Sequence, residues 1–246
     1  MRKHLVYDLP LRLFHWLFAG LFVFAFAIAK TIDDDSPIFV YHMLAGIMLS
    51  YVVSLRLIWG LVGTTYSQFR SFSLRPLDLV SYFQGILSGS KKRWAGHNPA
   101  SSWAALAMFA LALGLGTTGY LMSTGDKETY EDIHEIMANA FAIVVLLHVA
   151  GVILHFVRHR DGIAMTMISG VKAEVPEASA IKNSRPLIAA LFMALVAGFS
   201  FYLASGFDSS KQALNIFGTT IQLGENENES EGNAEGGTAE KEDDDD

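Results

Sequence analysis

Five long apolar runs, each almost free of charge, constrain this chain more than any other feature. They fall at Leu11–Ala29, Ile38–Leu55, Ser101–Ser123, Ile133–Val157 and Leu187–Phe207. Each has about the 20 residues an α-helix needs to cross a hydrocarbon layer about 30 Å thick. Only 17% of the residues are charged, against about 25% in an average soluble domain. The expected fold class is therefore all-α integral membrane. A four-helix transmembrane bundle over residues 1–172 is followed by a polar linker over 173–186, a fifth transmembrane helix over 187–207 and a polar, acidic tail over 208–246. The stretch after Leu223 is too polar to bury anything, and the tail is expected to be largely disordered.

The basic residues orient these runs. Arg2, Lys3 and Arg12 flank the first; Arg70, Arg75, Lys91, Lys92 and Arg93 lie in the 60–100 connection; Arg158, Arg160, Lys172, Lys182 and Arg185 lie in the 158–186 connection. The opposite loops hold only Lys30 and Lys127, amid Asp33, Asp34, Asp35, Asp126, Glu128, Glu131 and Asp132. Positive loops stay in the cytoplasm, so the N-terminus is expected inside and the C-terminus in the periplasm of a bacterial inner membrane. Arg2 and Lys3 before an apolar run ending in Ala27-Ile28-Ala29 resemble a signal peptide. The run exceeds the usual signal core of about 7–15 residues and carries Arg12 and His15, which favours a retained helix. In the 60–100 connection, Leu79, Val80, Tyr82, Phe83, Ile86 and Leu87 have amphipathic-helix spacing. This segment is expected on the inner membrane surface, anchored by Trp94 and Lys91-Lys92-Arg93.

No cysteine is present, which excludes disulfides, thiolate metal sites and covalent haem attachment. A cofactor must be held by histidine, carboxylate, methionine or packing. Four of the eight histidines, His15, His42, His134 and His148, lie inside predicted helices, where ligand-capable side chains are costly and point to function. His134 and His148 are 14 residues apart, close to four helical turns, so they share one face about 21 Å apart along the axis. His15 matches His148 in depth, near the cytoplasmic side, and His42 matches His134 near the outer side. Two haem b groups are expected, one between His15 and His148 and one between His42 and His134, since imidazole is a standard axial ligand. Two axial histidines leave no open position on the iron, which favours outer-sphere electron transfer.

Propionates need cations. Arg12 precedes His15 by three residues and Arg56 follows His42 by 14, which puts both at the depth of the inner haem. Snorkelling at the interface accounts for them about as well. Gly46 and Gly151 would let a flat macrocycle approach, or serve plain helix packing. His155, two turns past His148, is expected as an interfacial polar residue, with a propionate or quinone headgroup as the alternative. His97, in Gly96-His97-Asn98-Pro99, needs no more than a loop and helix-start role.

Several stretches together resemble the prokaryotic cytochrome b561 and nickel–iron hydrogenase b-type cytochrome family. They are Tyr7-Asp8-Leu9-Pro10-Leu11-Arg12-Leu13-Phe14-His15-Trp16, His42 with Gly46, Arg56-Leu57-Ile58-Trp59-Gly60, Gly96-His97-Asn98-Pro99, Ile133-His134-Glu135 and Leu147-His148-Val149-Ala150-Gly151. The resemblance covers about Val6–Lys172 and implies a four-helix core, two bis-histidine haems, quinol or quinone exchange and a redox partner protein. The fifth run and the acidic tail depart from that pattern.

The leading expectation is a dihaem respiratory-chain cytochrome b that moves electrons between the quinone pool and a partner, such as a periplasmic c-type cytochrome. A haem-bearing membrane anchor for a hydrogenase-like dehydrogenase is the second reading. A histidine-based metal or proton transporter is a third, disfavoured because transporter sites sit near the midplane at broken helices. No nucleic-acid partner is expected beside membrane lipid and quinone, and a homodimer stays open. Residues Glu225–Asp246 hold eleven acids and one lysine, a field that would steer a basic partner at low salt, although a solubilising tail needs no such role. The orientation has a direct test. A reporter active only in the cytoplasm should be silent when fused after Leu223; activity there would mean that the last run fails to cross or that the charge asymmetry misleads.

Overall fold

The computed structural model describes residues 3–90, 92, 94–125, 127–160, 163–173 and 176–224. Seven α-helices run through them: α1 (Leu9–Thr31), α2 (Val40–Val62), α3 (Pro76–Leu87), α4 (Pro99–Ser123), α5 (Lys127–His159), α6 (Ile163–Ser169) and α7 (Pro186–Gly206). Prolines mark four of the starts: α1, α3, α4 and α7 each carry one in the first two positions. A missing N–H costs nothing there, and the fixed φ suits the helix. Asn98 caps α4 by accepting from the Ser101 N–H at 2.8 Å, satisfying one of the unpaired donors of a helix start.

The five apolar runs become α1, α2, α4, α5 and α7, each long and apolar enough to cross a membrane. All but α7 are longer than the apolar stretch that predicted them: α2 continues through Arg56–Val62, and α5 gains Lys127–Asp132 at its start. The extreme case is α5, whose 33 residues extend about 50 Å at 1.5 Å per residue. Phe141 is its one buried residue among those described. Ile136, Ile143, Leu146, Leu147, Ile153 and Val157 are all exposed, a surface that suits lipid and not water.

α1 and α2 form one antiparallel hairpin, α4 and α5 another, and α2 packs on α4 between them. A Cβ at Gly116 would collide with the Ser50 hydroxyl, so glycine is what lets α2 and α4 approach. Between the hairpins an aromatic column fills the core. Phe14, Phe18 and Phe22, spaced four apart on α1, meet Phe109 of α4 and Phe141 of α5. The closest pair is Phe22 with Phe141, with ring centres 4.3 Å apart.

The bundle end that carries the N-terminus, called here the basic end, is tied together by one carboxylate. Asp8 is fully buried. It caps α1 by accepting from the Leu11 N–H at 2.9 Å, and it takes the Trp59 indole N–H at 3.2 Å, the Thr64 hydroxyl at 2.5 Å and the Ser67 hydroxyl at 2.6 Å. One side chain thus joins the start of α1 to the end of α2 and the loop beyond. Strand β1 (Lys3–Leu5) pairs antiparallel with β2 (Val171–Ala173), and the Gly170 carbonyl accepts from the N–H groups of Val6 and Tyr7. The expected linker to α7 runs against this N-terminal segment: Ile181 N–H donates to the Leu5 carbonyl, and Leu9 N–H to that of Ser184.

α3 forms where an amphipathic surface helix is expected, but its apolar set divides. Leu77, Val80, Phe83 and Leu87 are exposed in a row, whereas Leu79, Tyr82 and Ile86 are partly buried, apart from that row. Arg158 of α5 clamps the helix end, donating to the Ile86 carbonyl at 2.7 Å and to that of Ser90 at 3.0 Å. A cation suits a helix C-terminus.

One expectation is corrected. Residues 208–224, assigned to a largely disordered tail, fold after α7 into an antiparallel sheet of β3 (Phe207–Asp208), β4 (Ala213–Ile216) and β5 (Thr219–Gln222). The reason is an apolar face: Leu214, Ile221 and Leu223 are buried with Leu203 of α7, enough to seat a short meander against the helix. The rest of the acidic tail, from residue 225, lies outside the described residues.

Two variants test this packing. Asp8→Ala leaves four donors without an acceptor, each worth about 1 kcal/mol or more when buried, so thermal unfolding in detergent should report a loss of about 3 kcal/mol or more. Phe141→Ala removes the centre of the aromatic column and should cost about 3–5 kcal/mol. A near-native melting temperature in either variant would contradict these assignments.

Candidate haem sites

At the end opposite the N-terminus, called the acidic end, His42 of α2 faces His134 of α5 with ring centres 6.1 Å apart and planes at 70°. His42 Nδ1 lies 2.9 Å from the Ala25 carbonyl of α1. A carbonyl only accepts, so Nδ1 carries the proton and Nε2 keeps its lone pair. His134 Nδ1 lies 2.8 Å from the Thr118 hydroxyl of α4, which itself donates to the Gly114 carbonyl at 3.0 Å. His134 Nδ1 is then the donor, and its Nε2 is likewise free. Each imidazole is oriented and fixed in tautomer by a neighbouring helix, the arrangement that metal-bound histidines use.

At the basic end, His15 of α1 and His148 of α5 lie within electrostatic reach of each other. His15 packs edge-on against Trp16, with ring centres 5.1 Å apart, and its Nδ1 is buried without a hydrogen-bond partner. The structure brings His42 and His134 face to face and places His15 and His148 at the same opposite end of the bundle. It also places Phe141 seven residues from each histidine of α5, so the aromatic column separates the two pairs.

The arginines divide. Arg12 donates through Nη2 to the Ile168 carbonyl at the end of α6, and Trp16 Nε1 donates beside it to that of Met167 at 3.1 Å. Arg12 thus secures α6 and keeps Nε–H unpaired. Arg56 is 2% exposed and ringed by Phe69, Phe109 and Phe14, whose ring centres lie 5.1, 5.7 and 5.8 Å from its guanidinium carbon. Its Nη2 donates to the Ser67 carbonyl at 2.8 Å.

Two residues escape a reading of the sequence. Phe141 was legible only as one apolar residue among many, although its position midway between His134 and His148 was the available signal. His97 reads as a loop residue, yet its ring packs against Tyr7 and Phe72, with centres 5.6 and 4.9 Å apart. Burial pushes its pKa down to about 3, helped by the charge of Arg56, then by Lys172, His148 and His15. It is neutral at physiological pH and belongs to the same end of the bundle as the His15 pair. His155 stacks on His159 at 4.2 Å.

The residues fit iron porphyrin. Two imidazoles that share one metal ion, each nitrogen about 2 Å from it and about 1 Å from its ring centre, set ring centres about 6 Å apart. The His42–His134 separation matches. A bare metal ion needs three or four protein ligands, and among the described residues no group of three or more His, Cys, Asp or Glu side chains could hold one. Pairs suffice for haem, whose four equatorial ligands come from the macrocycle.

The chain is similar to the probable Ni/Fe-hydrogenase 1 B-type cytochrome subunits of Escherichia coli K12 and Escherichia coli O157:H7, each 27% identical over 143 residues. The similarity covers 49% of this chain and 60% of each relative, so it spans less than two thirds of their length. No solved structure gives a significant match. The family model described as prokaryotic cytochrome b561 matches residues 6–170, the span that holds both histidine pairs and all but the last of the membrane-crossing helices. This chain belongs to the prokaryotic cytochrome b561 family.

Proposed function

We propose that the chain holds two b-type haems, one between His15 and His148 and one between His42 and His134, and links the quinone pool to a partner redox protein. The observation that carries this reading is the His42–His134 pair: 6.1 Å between ring centres, with both Nδ1 atoms committed elsewhere. Bound haem supplies a one-electron iron couple. The protein's own residues do the rest. Ala25 and Thr118 hold the imidazoles of His42 and His134 in tautomer, a pair of histidines at each site would hold the haem iron, and the phenylalanine column keeps water out of the space between the sites. Arg56, and Arg12 through its remaining Nε–H, would meet propionates at the basic end.

In this reading the basic end is cytoplasmic and the acidic end periplasmic, as the loop charges favour. Asp33, Asp34, Asp35, Glu128, Glu131 and Asp132 then offer a negative surface to a basic periplasmic c-type cytochrome. A hydrogenase-like dehydrogenase is the second candidate for the partner, favoured by the names of the Escherichia coli relatives. Stopped-flow oxidation by each partner would separate the two.

Pyridine haemochrome analysis should give two haem b per chain. His15→Ala or His148→Ala should remove one haem, and His42→Ala or His134→Ala the other, with distinct α-band spectra remaining. If His134→Ala and His148→Ala removed the same haem and left the other, the pairing would be wrong. Thr118→Val should weaken haem retention at the acidic-end site alone, about 10-fold or more, since outer partners of ligating histidines carry that weight.

A further inference from the structure

Most side-chain polar atoms buried in this protein find a partner, and the exceptions gather at the basic end. Among the described residues, Arg12 Nε, His15 Nδ1, Arg56 Nε and Nη1, Gln68 Oε1, His97 Nδ1, Trp103 Nε1 and His159 Nε2 are buried without one. A guanidinium is donor only, so Arg56 presents two N–H groups, on different edges, that nothing accepts. Its charge also lacks an anion in contact. Asp8 is near enough to be felt, but the Asp8 oxygens already serve Leu11, Trp59, Thr64 and Ser67. A buried cation with unmet donors is costly unless an acceptor reaches it. Arg56 is walled by Phe14, Phe69 and Phe109 and 2% exposed, so neither bulk water nor a lipid headgroup supplies that acceptor.

His97 stands beside it. The ring is held by Tyr7 and Phe72 and lies within reach of Arg56, Lys172, His15 and His148. Lys172 is itself positioned by the Trp94 carbonyl, which accepts from Nζ at 2.5 Å. Two elements far apart in sequence, α2 and the turn before α4, thus leave buried polar atoms without partners at the same end of the bundle, linked through Phe69 and Phe72. An anionic acceptor there would satisfy the Arg56 donors and, with the proton on Nδ1, His97 as well.

We propose that Arg56 and His97 together form a carboxylate-binding cradle for the propionates of the haem held by His15 and His148, with Lys172 as the supporting cation. This rests on the two-haem reading above. It gives the Gly96-His97-Asn98-Pro99 turn a cofactor-positioning role in addition to starting α4, and it makes His97 specific to one of the two haems.

The test uses purified holoprotein in detergent. His97→Phe keeps a ring against Tyr7 and Phe72 and removes the donor; His97→Gln keeps an N–H donor. Haem transfer to apomyoglobin, followed at the Soret band, should release one haem about tenfold faster from His97→Phe, the weight of one hydrogen bond to a charged acceptor. The second haem should leave at the wild-type rate, and His97→Gln should stay within a few-fold of wild type. Resonance Raman spectra of His97→Phe should show a shifted propionate bending band. In a His148→Ala background, where only the His42/His134 haem remains, His97→Phe should change nothing. Wild-type release and an unshifted band in His97→Phe would overturn the cradle, as would equal acceleration of both haems or a Gln variant as fast as Phe. If His148→Ala retained both haems, the ligand assignment itself would fall, a failure visible without any His97 variant.

Discussion

The buried carboxylate of Asp8 sets the register on which everything at the basic end depends. It caps α1 and, through the same two oxygens, grips Trp59 near the end of α2 and Thr64 and Ser67 just beyond. A helix that slides by one residue moves about 1.5 Å and turns about 100°. For α1 that would swing His15 away from His148 and carry Phe14, Phe18 and Phe22 off the aromatic column. Apolar packing alone holds a membrane helix weakly in register, because lipid tails offer contacts much like those of a neighbouring helix. A polar anchor at the interface is specific where packing is not.

Given that register, α5 supplies the geometry of the two sites. Its inner face sets buried Phe141 between the partly buried His134 and His148 at seven-residue intervals, while Ile136, Ile143, Leu146 and Leu147 are exposed. Seven residues are close to two turns, so the three side chains stack on one face about 10 Å apart. The histidines therefore meet α2 at one end and α1 at the other, while the phenylalanine joins Phe18 and Phe22 between them. A single helix fixes the distance between the sites, and the hairpin of α1 and α2 completes both.

The C-terminal part joins this core from one flank: Phe192, Val196 and Leu203 of α7 and Leu214, Ile221 and Leu223 beyond it are continuous with the buried set of the bundle. α7 packs on α1 and α2, where Tyr51 stacks on Phe199 with ring centres 4.0 Å apart. The sheet that follows seats Leu214 and Ile221 against the helix, and Tyr202 accepts the Phe217 N–H at 2.7 Å. The addition covers one flank of the bundle beyond the family match at residues 6–170, and it leaves both histidine pairs in place.

The sequence by itself determined what depends on period and length. Five runs of membrane-crossing length, prolines at helix starts and a 14-residue interval between two histidines are one-dimensional facts, and helix geometry turns them into spans, starts and depths. A pairing of the histidines by depth could be reasoned because a membrane removes most other arrangements. Tertiary structure decided whatever depends on residues distant in the chain converging. His97 acquires meaning only when the turn before α4 folds against Tyr7 and Phe72 beside Arg56; nothing in its local pattern separates it from a loop residue. The sheet over 207–222 needed Leu203 to pack against, so a stretch rich in Ser, Asn, Gly and Thr read as tail. The Asp8 network joins donors more than 50 residues away in the chain, and only a folded chain brings them to one carboxylate.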